Sequence, residues 1–592
     1  MKLPTALGKT PSLLFTRLRV ALVRHEELTG IVFWAATIGL LGALASVAFR
    51  EGIRLIELAL TGRTGSLVLV ATELPWWSRI LVPVLGGLSA GLVIHVGGRL
   101  LKARRAIDYM EAIVVGNGVI GVRATLIRSL SSLFTIASGG SIGREGPMVQ
   151  LAALIGSTVG KVVRAPVPRL RLMVACGAAA GIASAYNAPI AGALFVAEIV
   201  MGTIAMESFG PLLVASVTAN VTIHNFLGYQ PVFRAPQFHF GSNWELVLYT
   251  LLGVLLGHCA PPFLALLEWS KAQFMKLGWP PYATLPLGGL VVGATSLFVP
   301  QVWGNGYSTV SQILDGNLAG SLVLLILFAK ILSTAATVGS GAVGGVFTPT
   351  LFVGAAIGAT VGGALHIAFP AVVSVGSAYA LVGMGGFLAA TTHAPLMSIL
   401  MIFEMTLNYQ VVLPLMLACV TAHYTAKVYR QSRSIYHDAL KAVAPSDDSG
   451  HNAGTDGWKL LTVRALVKPC AAVARRGVSV EQVLKELPNR PVPTVYVVND
   501  DKELVGSASP ARLLEGLKTG EWKLSADIAS IADPVVVSLQ RDMALGVALD
   551  VFLRVNSSNL PVTQGQWQAT LVGEVSRSDL LLAVQDRLSA KR

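Results

Sequence analysis

Two stretches of this chain, 202 residues apart, share one pattern of glycine, proline and small apolar residues. Residues 138–160 read SGGSIGREGPMVQLAALIGSTVG and residues 340–362 read SGAVGGVFTPTLFVGAAIGATVG. Ten of the 23 positions are identical, among them Ser138/Ser340, Gly143/Gly345, Pro147/Pro349 and Gly160/Gly362. A second match, at an offset of 206, pairs Gly177, Ala188, Pro189 and Glu198 with Gly383, Ala394, Pro395 and Glu404. Shared composition would align glycines and alanines, but it would not keep proline and polar positions in order. The region is therefore two related halves, and repeated halves with broken helices place a substrate site where they meet.

The repeat lies in apolar surroundings. From about residue 30 to 429 apolar runs dominate, the clearest at 30–49, 80–96, 211–223, 244–267, 285–299, 322–332 and 411–426. Charged residues make up 13% of the chain, against about 25% in a soluble protein, so most of the surface is expected to face lipid. Between these runs lie shorter apolar pieces broken by Gly, Pro and Asn, below the roughly 20 residues that cross a bilayer. Broken helices persist in a membrane only where protein or a water-filled path shields their ends. In this setting the net charge of +13 suits loops held at the cytoplasmic face, not nucleic-acid binding. Cys176, Cys259, Cys419 and Cys470 have the spacing of neither a metal site nor a disulfide framework. Residues 2–24 are basic and lack the apolar core and cleavage site of a signal peptide, so they read as a cytoplasmic lead-in.

Two loop-to-helix junctions carry the chemistry, one per half: Gly143-Arg144-Glu145-Gly146-Pro147 and Gly345-Val346-Phe347-Thr348-Pro349. Each sets glycine before an apolar helix and proline early in it, where a missing N–H costs little. A helix start leaves N–H groups unpaired and carries roughly half a positive charge. Two such starts aimed at one point attract an anion and still release it, as permeation requires. Glu145 is the unusual residue, because a carboxylate at such a point is costly unless it acts. It can take the anion's place and swing away as a gate, and it can carry a proton. The alternative is that it pairs with Arg144 and only caps the helix.

These motifs, together with Tyr436 in R-S-I-Y-H-D, make residues 30–440 similar to the CLC family of chloride channels and transporters. The stretches ACGAAAG (175–181), WGNGYST (303–309) and THAP (392–395) resemble its bacterial ClcB-like branch. The resemblance implies an all-α polytopic membrane fold of two inverted repeats with broken helices. It also implies a homodimer in the bacterial inner membrane with a pore in each subunit. Backbone amides of Val346 and Phe347 with the Tyr436 hydroxyl would hold a central chloride. Gly143, Arg144, Gly146, Phe347 and Thr348 would serve the outer positions, and Glu145 would be the external gate. Two places depart from the family pattern. Where the family has G-S-G-I-P, residues 103–107 read ARRAI. The coordinating serine is missing and Arg104 stands near its place, either drawing anions to the inner mouth or acting as a plain cytoplasmic-side charge. Where family exchangers carry paired glutamates, Glu198 is followed by Ile199, which relays no proton. That favours a passive channel over a chloride/proton exchanger, and the exchanger stays open because Glu145 is kept.

At Pro445 the composition changes, and residues 445–457 (PSDDSGHNAGTDG) are polar and turn-rich. The expected organisation is a cytoplasmic segment 1–29, a membrane domain 30–440, a linker 441–460 and a soluble α/β domain 461–592. Strands are expected at 494–498 and 534–539, and helices at 480–487 and 543–554. Residues 462–584 resemble a tandem pair of CBS modules on the cytoplasmic side, each a β-α-β-β-α unit. The second module ends LVGEVSRSD, which implies that Ser576 and Asp579 hold the phosphate and ribose of an adenine nucleotide. The first ends LVGSASPAR, with Arg512 where the aspartate would stand. A tail that only steadies the dimer is the alternative. An enzyme is not expected: His25-Glu26-Glu27 continues into Leu28 and Thr29 without the second histidine of H-E-x-x-H, and His393 stands alone. No metal is expected; the partners expected are chloride and similar small anions, lipid and a second copy of the chain.

Overall fold

The computed structural model describes residues 11–100, 108–114, 116–202, 204–228, 232–233, 244–318, 320–370, 373, 376–429, 434–436, 462–488, 492–533, 537–543, 545–555, 557–564 and 570–589. Arg104 and the expected linker 441–460 lie outside them. The chain forms two compact units. The first comprises Met1–Ala106, Gly121–Gly156 and Ala175–Ile435; the second comprises Ile107–Ile120, Ser157–Val174 and Tyr436–Arg592.

Helices dominate up to residue 428. The first half carries α1 (Pro11–Thr61), α2 (Leu67–Glu73), α3 (Trp76–Leu100), α4 (Tyr109–Val114), α5 (Val122–Ala137), α6 (Glu145–Val162), α7 (Val167–Tyr186), α8 (Pro189–Leu194) and α9 (Met206–Leu227). The second carries α10 (Glu245–Lys276), α11 (Pro281–Ser296), α12 (Tyr307–Leu314), α13 (Ser321–Gly339), α14 (Phe347–Ala368), α15 (Gly376–Thr392), α16 (Pro395–Thr406) and α17 (Val412–Val428). Among the described residues, seven stretches are long and apolar enough to cross a membrane: Gly30–Thr61, Trp76–Arg99, Val167–Tyr186, Glu245–Lys276, Ser321–Gly339, Phe347–Ala368 and Tyr409–Val428. The expected run 285–299 falls on α11, whose 16 residues are too few to span alone. Val167–Tyr186 and Phe347–Ala368 escape the sequence reading as spans. The best window of Val167–Tyr186 is 78% buried, so its alanines and glycines meet protein and its hydropathy is weak.

The repeat recurs atom by atom. Gly139 and Gly341 have φ of 91° and 93°, and Asn187 and His393 have φ of 53° and 60°. Ser138 Oγ donates to the Thr135 carbonyl at 3.1 Å, as Ser340 Oγ does to Thr337 at 2.8 Å. The α3 and α11 backbones touch through Gly87 and Gly289. A Cβ at Gly87 would lie 2.6 Å from the Leu285 carbonyl oxygen, and one at Gly289 would collide with the Pro83 carbonyl.

The short helices α8 and α16 cap each other. Glu198 lies in the π-helical turn Phe195–Val200 that prolongs α8. Its carboxylate accepts the N–H groups of Leu396 (3.3 Å) and Met397 (2.7 Å) at the start of α16. Glu404, near the end of α16, accepts those of Ile190 (3.0 Å) and Ala191 (2.8 Å) at the start of α8. Each carboxylate thus satisfies two orphan donors of the opposite half.

The second unit contains two three-stranded sheets, β1 (Val473–Arg475), β2 (Val495–Val498), β3 (Leu504–Ala508) and β4 (Leu539–Gln540), β5 (Asn559–Gln564), β6 (Thr570–Ser576). In both, the first strand pairs parallel with the second and the second antiparallel with the third. Helices Val480–Glu486 and Leu545–Val555 connect the parallel strands, and Pro510–Thr519 and Arg577–Ser589 follow the third strands. The β-α-β-β-α order therefore occurs twice. Each sheet has its own core, one around Val480, Val497 and Leu513, the other around Phe552, Val562 and Leu580. Of the strand expected over 534–539, the described part forms strand at Leu539–Gln540; 534–536 lie outside the described residues.

Candidate anion site

One reciprocal pair of hydrogen bonds joins the two repeat loops. Gly143 N–H donates to the Gly345 carbonyl at 2.7 Å, and Gly345 N–H to the Gly143 carbonyl at 2.9 Å. Both positions need glycine for space. A Cβ at Gly143 would collide with the Glu145 carboxylate, and one at Gly345 would lie 2.8 Å from Glu145 Oε2 and 3.3 Å from the Gly146 nitrogen. The bridge sets the start of α6 beside the start of α14. Pro147 and Pro349 are the third residues of these helices and carry no N–H. The first donors of each helix are then the amides of Glu145 and Gly146, and of Phe347 and Thr348.

Glu145 is 3% exposed. Its carboxylate faces its own amide, the Thr348 amide and the Tyr186 hydroxyl, yet neither oxygen makes a hydrogen bond of good geometry among the described residues. Nor does it pair with Arg144. The Arg144 guanidinium sits 5.5 Å from the centroid of the Tyr307 ring, and its Nε is buried without a hydrogen bond. Of the two sequence readings of Glu145, an ion pair with Arg144 is not the arrangement found. The Tyr186 hydroxyl is 3.3 Å from Thr348 Oγ1, and its ring lies 4.9 Å from that of Phe347. Phe347 and Thr348 are buried, while Val346, Arg144 and Gly146 are half-buried.

Residues that the sequence reading passed over complete the surroundings. Tyr186 ends α7 and Tyr307 opens α12. Lys330, in α13, is fully buried. Its Nζ donates to the carbonyls of Val302 (2.9 Å) and Gly304 (2.6 Å) and lies 5.8 Å from the Phe352 ring centroid. It thereby pins the loop that presents Tyr307. A lysine inside the apolar run 322–332 is the signal that could have found it.

Ser434 Oγ donates to the Thr392 carbonyl at 3.2 Å, and Ile435 N–H to that of Thr391 at 3.0 Å. These bonds tie the segment before Tyr436 to the end of α15. Tyr436 is half-buried in the second unit, within electrostatic reach of Tyr109. In the tail, Ser576 Oγ caps the last helix by accepting the Asp579 N–H at 3.1 Å, and it lies 2.8 Å from Ser578 Oγ. The Asp579 carboxylate is held by Lys468 Nζ at 2.8 Å. That ammonium holds the Asp579 carboxyl below the usual carboxylate range.

Residues 86–427 match the family described as voltage gated chloride channel. A chloride channel protein described as ClcB-like, from Ralstonia nicotianae, is 54% identical over 410 residues, which are 69% of this chain and 95% of that protein. Among solved structures, a slow cyanobacterial Cl−/H+ antiporter superposes with a TM-score of 0.62 at 25% identity, over 70% of this chain and 97% of that one. A eukaryotic CLC transporter superposes with a TM-score of 0.64 at 18% identity, over 93% of this chain and 98% of its own, so the likeness of fold runs into the tail.

Proposed function

The chain belongs to the CLC family of voltage-gated chloride channels and transporters, and from that premise we propose that it is a chloride channel gated by Glu145. One observation carries the reading: the Glu145 carboxylate lies against the Gly143–Gly345 bridge, facing the Thr348 amide at the start of α14. A carboxylate in that seat has the charge of chloride and competes for the same partial positive charges. Chloride enters when the side chain leaves, and protonation loosens the seat by removing the competing charge. The amides around Gly143, Arg144 and Gly146 and those of Val346, Phe347 and Thr348 line the path. The protein works as a homodimer in the bacterial inner membrane, its tail in the cytoplasm.

Proton-coupled exchange by the same carboxylate is the second reading, favoured by the likeness to a solved Cl−/H+ antiporter. Against it stands Ile199 where a proton-relaying glutamate would be. Glu198 beside it has both oxygens engaged by the Leu396 and Met397 amides, as a helix cap requires. Liposomes loaded with chloride decide between the two. A channel releases chloride only when valinomycin supplies counter-charge, with no coupled pH change. Proton uptake against its gradient in fixed ratio to chloride would assign the exchanger.

The tail reads as a CBS pair that steadies the dimer. Lys468 occupies the carboxylate that an adenine ribose would need, which favours this structural role over nucleotide sensing.

A further inference from the structure

We propose a second anion-binding site, built from the Arg50 and Arg144 guanidiniums and the Tyr307 hydroxyl, that holds one chloride or similar monovalent anion next to Glu145. The proposal deepens the gate reading above and rests on it.

Three elements far apart in the chain converge here: α1 carries Arg50, the loop before α6 carries Arg144, and α12 opens with Tyr307. Arg144 stacks on the Tyr307 ring at 5.5 Å, and Arg50 is in electrostatic contact with both. Two guanidiniums within each other's electrostatic reach repel and call for a counter-ion. Glu145 is within electrostatic reach of Arg144 and Glu51 of Arg50, yet neither carboxylate forms an ion pair with them. Among the described residues neither arginine side chain forms a hydrogen bond or an ion pair, and Glu51 turns its carboxylate toward Arg54 at 3.7 Å. Donors stand ready and unused, since Arg144 Nε and the Tyr307 hydroxyl are buried without hydrogen-bond partners. Thr348 faces the Tyr307 hydroxyl without bonding it.

Charge selects the ligand. Two arginines against the single Glu145 carboxylate leave one positive charge over. Lys330 behind the 302–307 loop is turned away to the Val302 and Gly304 carbonyls and takes no part in this balance. A monovalent anion balances the surplus. Guanidinium is always charged, weakly hydrated and presents a fork of donors, which suits it to hold an anion at a half-buried site. Such a site raises the local anion concentration beside the gate and so feeds it at low chloride.

The full-length protein is crystallised in bromide and the anomalous signal mapped. The expected result is one peak between the starts of α6 and α14 and a second at hydrogen-bond distance from Arg50 and Arg144, the second alone lost in Arg50→Gln. Bromide at the helix starts with none at the arginines overturns the new site and leaves the gate reading standing. Bromide at neither overturns both. In liposomes, Arg50→Gln that elutes from gel filtration like the parent raises the chloride concentration for half-maximal flux about fivefold, and Arg50→Lys, which keeps the charge, about twofold or less. No shift in Arg50→Gln, or equal shifts in the two variants, overturns the proposal.

Discussion

Glu145 and Lys330 are both ionisable, both buried, and held in opposite ways. Lys330 is held by two carbonyls, whereas Glu145 has polar neighbours and no completed bond. The first arrangement fixes a loop; the second leaves a side chain able to move. Glu145→Gln removes the charge that competes with chloride. Its chloride efflux rate is expected to agree within about twofold between acid and alkaline pH, while that of the parent rises on acidification. Stopped-flow efflux from liposomes reads this, and an undiminished pH dependence would count against the gate. Lys330→Met strands the Val302 and Gly304 carbonyls and is expected to cost about 2 kcal/mol, read as a lower Tm in detergent. Glu145 was legible because a carboxylate sat where the repeat has Phe347. Tyr186 and Arg50 were not, since their place beside that carboxylate depends on how α7 and α1 pack, which no local pattern encodes.

At the scale of elements, each half completes the helices of the other. Glu404→Ala removes the acceptor of two N–H groups at the start of α8, and Glu198→Ala does the same at α16. Each is expected to cost about 2–4 kcal/mol, and the double variant less than the sum, because the caps share one interface. Thermal unfolding of the three variants checks both statements; strict additivity would mean that the caps act separately. The offset match of Glu198 with Glu404 is the trace of this arrangement in the sequence. The amides they reach were hidden, because they lie across the fold. The spans Val167–Tyr186 and Phe347–Ala368 were hidden for different reasons. Hydropathy finds helices that lipid touches; Val167–Tyr186 is packed with small residues against protein, whereas Phe347–Ala368 is as apolar as the spans that were found and was absorbed into the repeat motif.

For the whole molecule, the change of composition near Pro445 and the strand and helix periods beyond it made a soluble α/β tail legible, and the resemblance to CBS modules supplied its doubled β-α-β-β-α order. The Lys468–Asp579 bond was not, because it joins the residues before β1 to the last helix. Titrating the full-length protein with ATP is expected to give only heats of dilution, in the parent and in Asp579→Ala alike. A saturable heat lost in Asp579→Ala would turn the tail into a sensor. Asp579 has a lowered folded-state pKa, so the bond stabilises above the ordinary carboxylate pKa and is lost as pH falls through the lowered value. Lys468 is 64% exposed, so the contribution is expected to stay under about 1 kcal/mol. Tm near neutrality should therefore barely change in Lys468→Ala.

The bridge between Gly143 and Gly345 and the crossed glutamate caps are made between equivalent positions of the two halves. A half-length ancestor meeting an identical copy of itself would already have possessed every one of those bonds. With both copies in one chain, the shared position is free to differ between the halves: an acid at Glu145 and an aromatic wall at Phe347.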